Sequence, residues 1–286
     1  MSARRADLDR GGTDGLPADY ERVDVGGARA VATREAAQAV REALAAGTLY
    51  AYAAREYAGG QPGARLLMGR APAYAVALPG AEGTAPRVVV RHSRHGGLLA
   101  PLTGDRFLPP TRAPRELSAA LRLREMGVPT PALVAYAVYP AGALLRRSDV
   151  ATREIADGHD LAAALGAEAD ARGDAAGGIA RGAILDAVAA LLRALTEAGA
   201  RHPDLNAKNI LVAPGPGSAS PVAYVLDVDR VVFETPRSHR VAQANMGRLA
   251  RSLRKLRARS ALSITDDQLA CLARGAHLSA PAAVPS

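Results

Sequence analysis

Residues 201–212 read RHPDLNAKNILV, and residues 222–229 read VAYVLDVD. In the first stretch an Asp lies in a polar loop, an Asn follows it five residues later, and a short apolar strand begins at once. A turn rich in Gly, Pro and Ser separates this strand from a second apolar strand that leads into Asp227. The pattern predicts a β-hairpin that places Asp227 beside the loop carrying Asp204 and Asn209.

These residue types suit the transfer of a phosphoryl group. The transition state of that reaction is loose, so the protein mainly positions groups and neutralises charge. Asp204 is the candidate catalytic residue, because a carboxylate can accept or orient the proton of an acceptor hydroxyl. Asn209 and Asp227 are candidate magnesium ligands, since Mg²⁺ prefers hard oxygen atoms. A polar turn before an ordinary hairpin is the alternative, but loop, strands and acid occur in the order typical of a protein-kinase-like phosphotransferase.

Composition limits the class of protein. The chain has 286 residues, 49% of them hydrophobic, which predicts a globular fold with a substantial core. The single cysteine, Cys271, excludes an intrachain disulfide, and we expect it to be a buried small residue on a helix. The net charge of +8 favours anionic partners, but an aromatic content of 3% argues against a nucleic-acid binder. We expect neither a membrane span nor a signal peptide.

The order of elements predicts an α+β, bilobal protein-kinase-like fold. Its N-lobe would be a small antiparallel sheet with one main helix, and its C-lobe would be mostly helical. We predict flexible tails at 1–20 and 279–286, the N-lobe at 21–157 and the C-lobe at 158–278. Strands are predicted at 23–31, 64–70, 73–78, 87–91, 133–138 and 142–145, helices at 33–46, 116–126, 241–259 and 265–277, a hinge at 150–155 and a loop at 166–178.

A kinase also needs a basic group on a central strand and a Glu on the following helix to hold the nucleotide phosphates. The first lysine is Lys208, so lysine cannot fill that place. Arg91 ends a Val-rich strand, its fork can bind phosphate oxygens, and Glu116 lies on the next predicted helix. Two separate surface charges are the alternative. Gly69 is a candidate for the loop over the phosphates, although a single glycine fits an ordinary turn equally well.

Two further basic stretches have two interpretations each. Residues 91–98 read RHSRHGGL and predict either a loop facing phosphate or an acidic sugar, or a solvated hairpin tip. Arg248, Arg251 and Arg254 form a stripe along a predicted helix. The stripe is either a solvated face or a contact surface for a phosphorylated lipid or sugar acid.

Taken together, these motifs resemble the lipopolysaccharide kinase family, and within it most of all the kinases of 3-deoxy-D-manno-octulosonic acid (Kdo). The matching stretches are VVRH at 89–92, GGL at 96–98, TR at 111–112, RE at 115–116, GVPTP at 127–131, HPDLNAKNIL at 202–211, LDVDR at 226–230 and RLARSLRK at 248–255. They span roughly residues 65 to 257. Ser93 stands where the family pattern has Tyr, and Val228 where it has Phe.

The resemblance implies an enzyme that uses ATP and Mg²⁺, with the family's catalytic Asp at Asp204. It implies phosphorylation of the 4-hydroxyl of Kdo on a Kdo–lipid A glycolipid, by a peripheral protein at the cytoplasmic face of the cell inner membrane, whose anionic surface would be a partner. No nucleic acid and no obligate protein partner are expected. A heptose kinase, a protein Ser/Thr kinase and a non-catalytic kinase-like module that binds glycolipid are the alternatives.

Overall fold

A computed structural model describes residues 16–69, 71–80, 85–94, 104–166, 179–215, 217, 220–259, 262 and 264–276. The described residues form two compact units. The first runs up to Ser118 and includes Ala132–Glu154, and the second comprises Ala119–Pro131 and the residues from Ile155 onward. Most of the predicted tails, residues 167–178 of the predicted loop and the tip of the basic stretch at 95–98 lie outside the described residues. The lobe boundaries 21–157 and 158–278 stay a proposal.

An antiparallel seven-stranded sheet forms the centre of the first unit. Its strands are β1 Tyr20–Val25, β2 Ala28–Thr33, β3 Arg65–Leu67, β4 Ala73–Ala77, β5 Arg87–His92, β6 Leu133–Pro140 and β7 Arg146–Arg153. They lie in the order β1-β2-β6-β7-β5-β4-β3. In β5 the buried Val88 and Val90 alternate with partly exposed residues, as expected of a strand whose two faces differ.

Two helices, α1 Ala37–Ala45 and α2 Leu49–Ala58, pack against one face of this sheet. Helix α1 begins later than the predicted 33–46 because Thr33 still belongs to β2. Helix α2 was not predicted. It begins after Thr48, whose hydroxyl accepts a hydrogen bond from the backbone N–H of Ala51 at 3.0 Å and so caps the first turn.

Strand β7 corrects two predictions. Residues 142–145, predicted as a strand, do not form one. Residues 142–144 are bends, and the backbone of Gly142 has a φ of 103° that interrupts an extended chain. Residues 150–153, predicted as part of a hinge, belong to β7 instead. They lie between β5 and β6, where the apolar Val150 and Ala151 are fully buried. A segment with both neighbours paired is a central strand and not a connection.

The second unit is mostly helical. Its helices are α3 Ala113–Glu125, which begins in the first unit, then α4 Leu161–Ala164, α5 Arg181–Glu197, α6 His239–Arg257 and α7 Asp266–Ala276. Its short strands are β8 His159–Asp160, β9 Ala200–Arg201, β10 Ile210–Ala213, β11 Val222–Val225 and β12 Val232–Phe233. They pair antiparallel in the orders β11-β10-β8 and β12-β9. Leucine, valine and alanine side chains of the helices and of β10 and β11 form one core.

Helix α7 confirms one prediction, its capping box, and contradicts another, the burial of Cys271. Thr265 and Gln268 form the predicted capping box: the Thr hydroxyl accepts from the Gln backbone N–H at 3.1 Å, and the Gln side chain accepts from the Thr N–H at 3.0 Å. The prediction that Cys271 is buried was wrong. It lies on α7 but is exposed, because Leu269 and Leu272 define the buried face of that helix.

A sheet-based unit and a mostly helical unit confirm the predicted α+β, protein-kinase-like fold class. No helix in the described part of the chain combines the length and the apolar character needed to cross a membrane.

Candidate active site

Gly199 precedes the loop at 202–209, and its backbone packs closely against the segment 234–236. This residue has a φ of +64°, and a Cβ on it would overlap the carbonyl oxygen of Glu234 and lie 2.9 Å from the nitrogen of Pro236. Only glycine combines the left-handed backbone with such a close approach. The chain then pairs as β9 with β12 and enters the loop.

His202 holds the loop from inside the core and is fully buried. Its Nε2 donates to the carbonyl oxygen of Leu226 at 3.0 Å, and its Nδ1 accepts from the backbone N–H of Asp204 at 3.1 Å. The backbone N–H of His202 donates to Oδ1 of Asn245 on α6 at 3.0 Å. Both ring nitrogens are thus used to connect the loop to the end of β11. These contacts occupy the ring of His202 and hold the backbone of the loop at Asp204.

Asn209 is tied directly to the residue that carries the candidate carboxylate. Its Nδ2 donates to the carbonyl oxygen of Asp204 at 2.8 Å, and Nδ2 of Asn206 donates to the same oxygen at 3.0 Å. Because Nδ2 of Asn209 faces Asp204, the amide oxygen Oδ1 faces away from it. No described residue donates a hydrogen bond to that oxygen, so it is available as a hard ligand.

The hairpin of β10 and β11 places Asp227 close to Asn209. Ile210 pairs with Val225, and the N–H of Leu226 donates to the carbonyl oxygen of Asn209 at 2.9 Å, which extends the pairing by one residue. Asp227 follows at once, at the end of the hairpin where Asn209 enters β10. It is exposed and has left-handed backbone angles, φ 52° and ψ 50°. Such a backbone is uncommon outside glycine and clusters at functional sites.

The two candidate ligands offer one amide and one carboxylate oxygen. Among the described residues, no group of three or more His, Cys, Asp or Glu side chains is arranged so that it could hold a metal ion. A structural zinc site would need about four such ligands, whereas Mg²⁺ commonly takes one or two carboxylates and completes its shell with water and phosphate oxygens. The donor set therefore fits Mg²⁺ accompanied by a phosphate ligand.

Helix α6 supports the loop through residues that the sequence analysis missed. Asn245 is fully buried and, besides accepting from His202, donates to the carbonyl oxygen of Ala200 at 2.9 Å. Ser252 accepts a hydrogen bond from the N–H of Ala207 at 3.2 Å. Asn245 lies four residues before the buried Leu249, on the apolar face of α6. A polar residue on an apolar helix face indicates a buried hydrogen-bonding role, and this was the sequence signal for Asn245.

In the first unit, Arg91 and Glu116 form an ion pair between Nη2 of the Arg and Oε1 of the Glu. The carboxylate side chain is only 6% exposed and the guanidinium 30%. Arg91 comes from the end of β5 and Glu116 from the first turns of α3. The alternative of two separate surface charges is therefore excluded. The Arg91 side chain as a whole remains partly exposed.

Gly69 follows β3 in the turn towards β4. Leu67 pairs with Ala73, and Ala73 pairs with Arg91, so this turn lies next to the strand end that carries Arg91. The nearest atom to a Cβ at Gly69 would be 3.6 Å away, an ordinary contact, and its φ is not left-handed. Nothing in its backbone requires glycine, and any role over phosphates stays a prediction.

The residue after Arg91 anchors a cluster that was not predicted from the sequence. His92 Nδ1 lies 2.5 Å from Oδ1 of the fully buried Asp149, and its Nε2 lies 3.0 Å from Oδ2 of Asp105. The hydrogen bond to Asp149 raises the pKa of His92, against the opposing effect of burial. Arg147 Nε lies 2.8 Å from Asp105 Oδ2. Burial alone would raise the pKa of Asp105, but the bonds from His92 and Arg147 lower it.

The predicted site residues thus fall into two groups. Asp204, Asn209 and Asp227 lie together in the second unit, and Arg91 with Glu116 lies in the first. The structure contains the loop, the hairpin and the ion pair that the sequence pattern predicts. A family model described as "Lipopolysaccharide kinase (Kdo/WaaP) family" matches residues 80–275. The chain belongs to this family.

Individual relatives agree with the family. The chain is 31% identical over 181 residues to a 3-deoxy-D-manno-octulosonic acid kinase of Xanthomonas oryzae pv. oryzae, and the match covers 60% of this chain and 63% of the relative, less than two thirds of its length. It is 27% identical over 193 residues to the Haemophilus influenzae protein of the same name, covering 66% of this chain and 74% of the relative.

Solved structures with similar folds include WaaP in complex with acyl carrier protein, with a TM-score of 0.44, 17% identity and coverage of 74% of this chain and 77% of that one. The Rio2 kinase of Chaetomium thermophilum matches with a TM-score of 0.41 and 15% identity, covering 93% and 77% of the two chains.

Proposed function

We propose that this protein is an ATP-dependent kinase of a lipopolysaccharide core sugar, and that its acceptor is the 4-hydroxyl of Kdo on a Kdo–lipid A precursor. The observation that supports the chemistry best is the hydrogen bond from Asn209 to the backbone of Asp204, with Asp227 at the same end of the hairpin. The membership of the family and the names of the relatives support the choice of acceptor.

Asp204 is the proposed catalytic residue. Its backbone is fixed on both sides, since its N–H donates to His202 and its carbonyl oxygen accepts from Asn206 and Asn209. The side chain is only half-buried. A fixed backbone with an accessible carboxylate suits a group that orients a sugar hydroxyl and accepts its proton as the phosphoryl group is transferred.

Asn209 and Asp227 are the proposed magnesium ligands. When bound, Mg–ATP supplies the phosphoryl group and neutralises its negative charge. The chain's own contribution is to hold the amide oxygen of Asn209 clear of Asp204. The hairpin register keeps Asp227 beside it. An amide at position 209 adds an oxygen ligand without placing a further negative charge next to the Asp204 carboxylate.

Arg91 is the proposed ligand of the nucleotide phosphates, with Glu116 as its positioning residue and Gly69 in the loop above them. The buried Glu116 carboxylate fixes one side of the guanidinium fork. Arg retains its charge at any physiological pH, and the planar fork can bind phosphate oxygens bidentately.

The exposed face of α6 is the proposed contact with the glycolipid and the anionic inner membrane surface. The helix has no Asp or Glu in its 19 residues. Arg251, Arg254 and Lys255 are exposed and Arg248 is half-buried. Each basic residue near an anionic membrane adds about 1 kcal/mol of attraction. This arrangement supports a peripheral protein at the cytoplasmic face of that membrane.

The test is incubation of the protein with ATP, Mg²⁺ and a Kdo–lipid A precursor, followed by mass analysis of the lipid. We expect a gain of one phosphate on Kdo. Asp204→Asn should reduce the rate by at least 100-fold, in the range typical of a lost general base. Asp267→Asn, a change of an exposed acid on α7, is the matched control and should leave the rate unchanged.

Other outcomes separate the alternatives. Phosphate on a heptose and not on Kdo would identify a heptose kinase. Ser93 and Val228, which differ from the family pattern, are the reason for testing this acceptor. Phosphate on a protein substrate alone would identify a protein kinase. Binding of the glycolipid without magnesium-dependent nucleotide binding would identify a non-catalytic module. An active, folded Asp204→Asn variant would contradict the assignment of Asp204.

A further inference from the structure

The stretch GVPTP at 127–131 has no role in the reaction proposed above. In the structure it leads from the end of α3 to the end of β11, within the second unit. It makes two hydrogen bonds to one residue there, Val225. Val225 lies two positions before Asp227, so the contact is close in sequence to a proposed magnesium ligand.

The first two residues of the stretch end α3 and set the direction of the chain. Gly127 has a φ of 72°, and its N–H donates to the carbonyl oxygen of Arg124 at 3.0 Å. The N–H of Val128 donates to the carbonyl oxygen of Leu123 at 2.9 Å. These two bonds form a Schellman motif, whose left-handed residue is usually glycine. Val128 and Leu123 are both buried in the core of the second unit, which fixes the turn.

The two prolines keep the following residues out of a helix. A residue that precedes proline is disfavoured in the helical region, and this applies to Val128 and to Thr130. Residues 128–131 accordingly belong to no helix or turn. Proline also has no N–H that needs a partner. The stretch therefore offers β11 one carbonyl oxygen, from Pro129, and one hydroxyl, from Thr130.

The register of the hairpin explains why Val225 can accept this contact. In the described part of the chain β11 is the outer strand of the order β11-β10-β8. Val225 pairs with Ile210, but the ladder bond beside them runs from the N–H of Leu226 to Asn209. Ile210 and Val225 are thus a non-hydrogen-bonded pair, whose own N–H and carbonyl groups point away from the partner strand.

The stretch takes both outward groups of Val225. The N–H of Val225 donates to the carbonyl oxygen of Pro129 at 2.9 Å, and its carbonyl oxygen accepts from Oγ1 of Thr130 at 2.9 Å. Val225 is fully buried and Thr130 is 8% exposed. A buried carbonyl that loses its partner is costly, because little water reaches it. The hydroxyl of Thr130 is therefore a strong constraint on the end of β11.

Every backbone polar group of the two residues before Asp227 is hydrogen-bonded. Those of Val225 are held by the GVPTP stretch. The N–H of Leu226 donates to Asn209, and its carbonyl oxygen accepts from Nε2 of His202 at 3.0 Å. Asp227 itself is exposed and has a left-handed backbone. Its direction therefore depends on how firmly these preceding peptide groups are held.

We propose that Thr130 is a positioning residue for the magnesium ligand Asp227. Its hydroxyl holds the end of β11 through Val225, and this keeps the Asp227 carboxylate beside Asn209. The role is indirect, since Thr130 acts on the backbone of β11 and not on the metal. The inference rests on the proposed function, because that function makes Asp227 a ligand.

The experiment is calorimetric titration of the whole protein with a non-hydrolysable ATP analogue at a series of Mg²⁺ concentrations. Thr130→Val keeps the branched shape and removes the hydroxyl. The Mg²⁺ concentration that gives half of the gain in affinity should rise about fivefold, the factor that one ordinary hydrogen bond supplies. Affinity for the analogue without Mg²⁺ should not change, because Arg91 and Glu116 are intact. Thr130→Ser retains the hydroxyl and should restore the parent's Mg²⁺ dependence.

Thr196→Val is the matched control. Thr196 is buried in the same unit, and its hydroxyl donates to the carbonyl oxygen of Leu192 at 2.8 Å within α5. The substitution removes a buried hydroxyl of the same kind, away from β11. It should leave the Mg²⁺ dependence as in the parent, which separates positioning of Asp227 from a general loss of stability.

Amide hydrogen exchange provides a readout without metal or nucleotide. The amides of Val225 and Leu226 should exchange slowly in the parent, and faster in Thr130→Val but not in Thr196→Val. If Thr130→Val does not fold, fast exchange of these amides in the parent would still overturn the proposal.

The outcomes distinguish this inference from the function on which it rests. An unchanged Mg²⁺ dependence in Thr130→Val, or an equal shift in Thr196→Val, would overturn the role of Thr130 and leave the proposed function standing. If the parent showed no Mg²⁺-dependent binding of the analogue, both would be overturned.

Discussion

Replacement of His92 tests how the end of β5 is held in place. Asp149 has no exposed surface, and its carboxylate accepts from His92 Nδ1 at 2.5 Å and from the backbone N–H of Tyr50 at 2.9 Å. His92→Ala leaves a buried carboxylate without its cationic partner. Removal of one member of a buried ion pair costs about 3–5 kcal/mol. His92→Asn keeps an N–H donor but not the charge, and it should recover part of that loss.

The same cluster predicts a dependence on pH. The bond to Asp149 raises the pKa of His92 above its ordinary value, so the folded protein binds this proton more tightly than the unfolded chain does. The stabilisation is therefore complete below the unfolded pKa of about 6.5, and it is lost as the pH rises through the folded pKa. Carboxyl groups with lowered pKa values, such as Asp105, act only at acidic pH and do not mask this window.

The assay is urea unfolding followed by circular dichroism at pH 6, 7, 8 and 9. We expect the difference in unfolding free energy between the parent and His92→Ala to be largest at pH 6 and to shrink towards pH 9. Gln243→Asn, an exposed change in the other unit that removes no titratable group, should show no such trend. A cost of His92→Ala below about 1 kcal/mol at pH 6, or a difference that does not vary with pH, would refute the reasoning.

Two further substitutions test the support of the loop. A left-handed backbone alone costs a non-glycine residue roughly 1–2 kcal/mol. Gly199→Ala should destabilise the protein by more than this, because the new Cβ would also overlap the backbone near Glu234. Urea unfolding measures the loss, and a cost under about 1 kcal/mol would contradict the close approach. Asn245→Leu leaves the N–H of His202 and the carbonyl of Ala200 without partners, which should cost about 2–4 kcal/mol and lower kinase activity. The control is Gln243→Leu, an exposed change on the same helix. Equal effects of the two substitutions would contradict the supporting role of Asn245.

Local patterns predicted the parts of the molecule that depend on neighbours in sequence. The loop and hairpin around Asp204 were predictable because the residues that bond to each other lie within about 25 positions. The helix at 265–276 was predictable because Thr265 and Gln268 form a cap on their own. The resemblance to a family fixed the class of fold before any long-range contact was known.

The remainder depends on register and packing that no local window contains. His92 meets Asp149 only because β5 and β7 pair with those two residues opposite each other, 57 positions apart. The burial of Cys271 was predicted wrongly because residue type was weighed without the helix face. Helix α2 has three tyrosines among ten residues, so its apolar spacing is ambiguous between helix and strand.

Helix α6 has a consequence for how the chain can be shortened. A protein that stopped before Ser238 would retain Asp204, Asn209 and Asp227, every side chain that we assign to the chemistry of the second unit. It would nevertheless lack the amide and hydroxyl groups that seat His202 and Ala207. Such a fragment would possess the full set of reacting groups without the scaffold that aligns them, so the minimal competent piece of this protein extends well past its last proposed magnesium ligand.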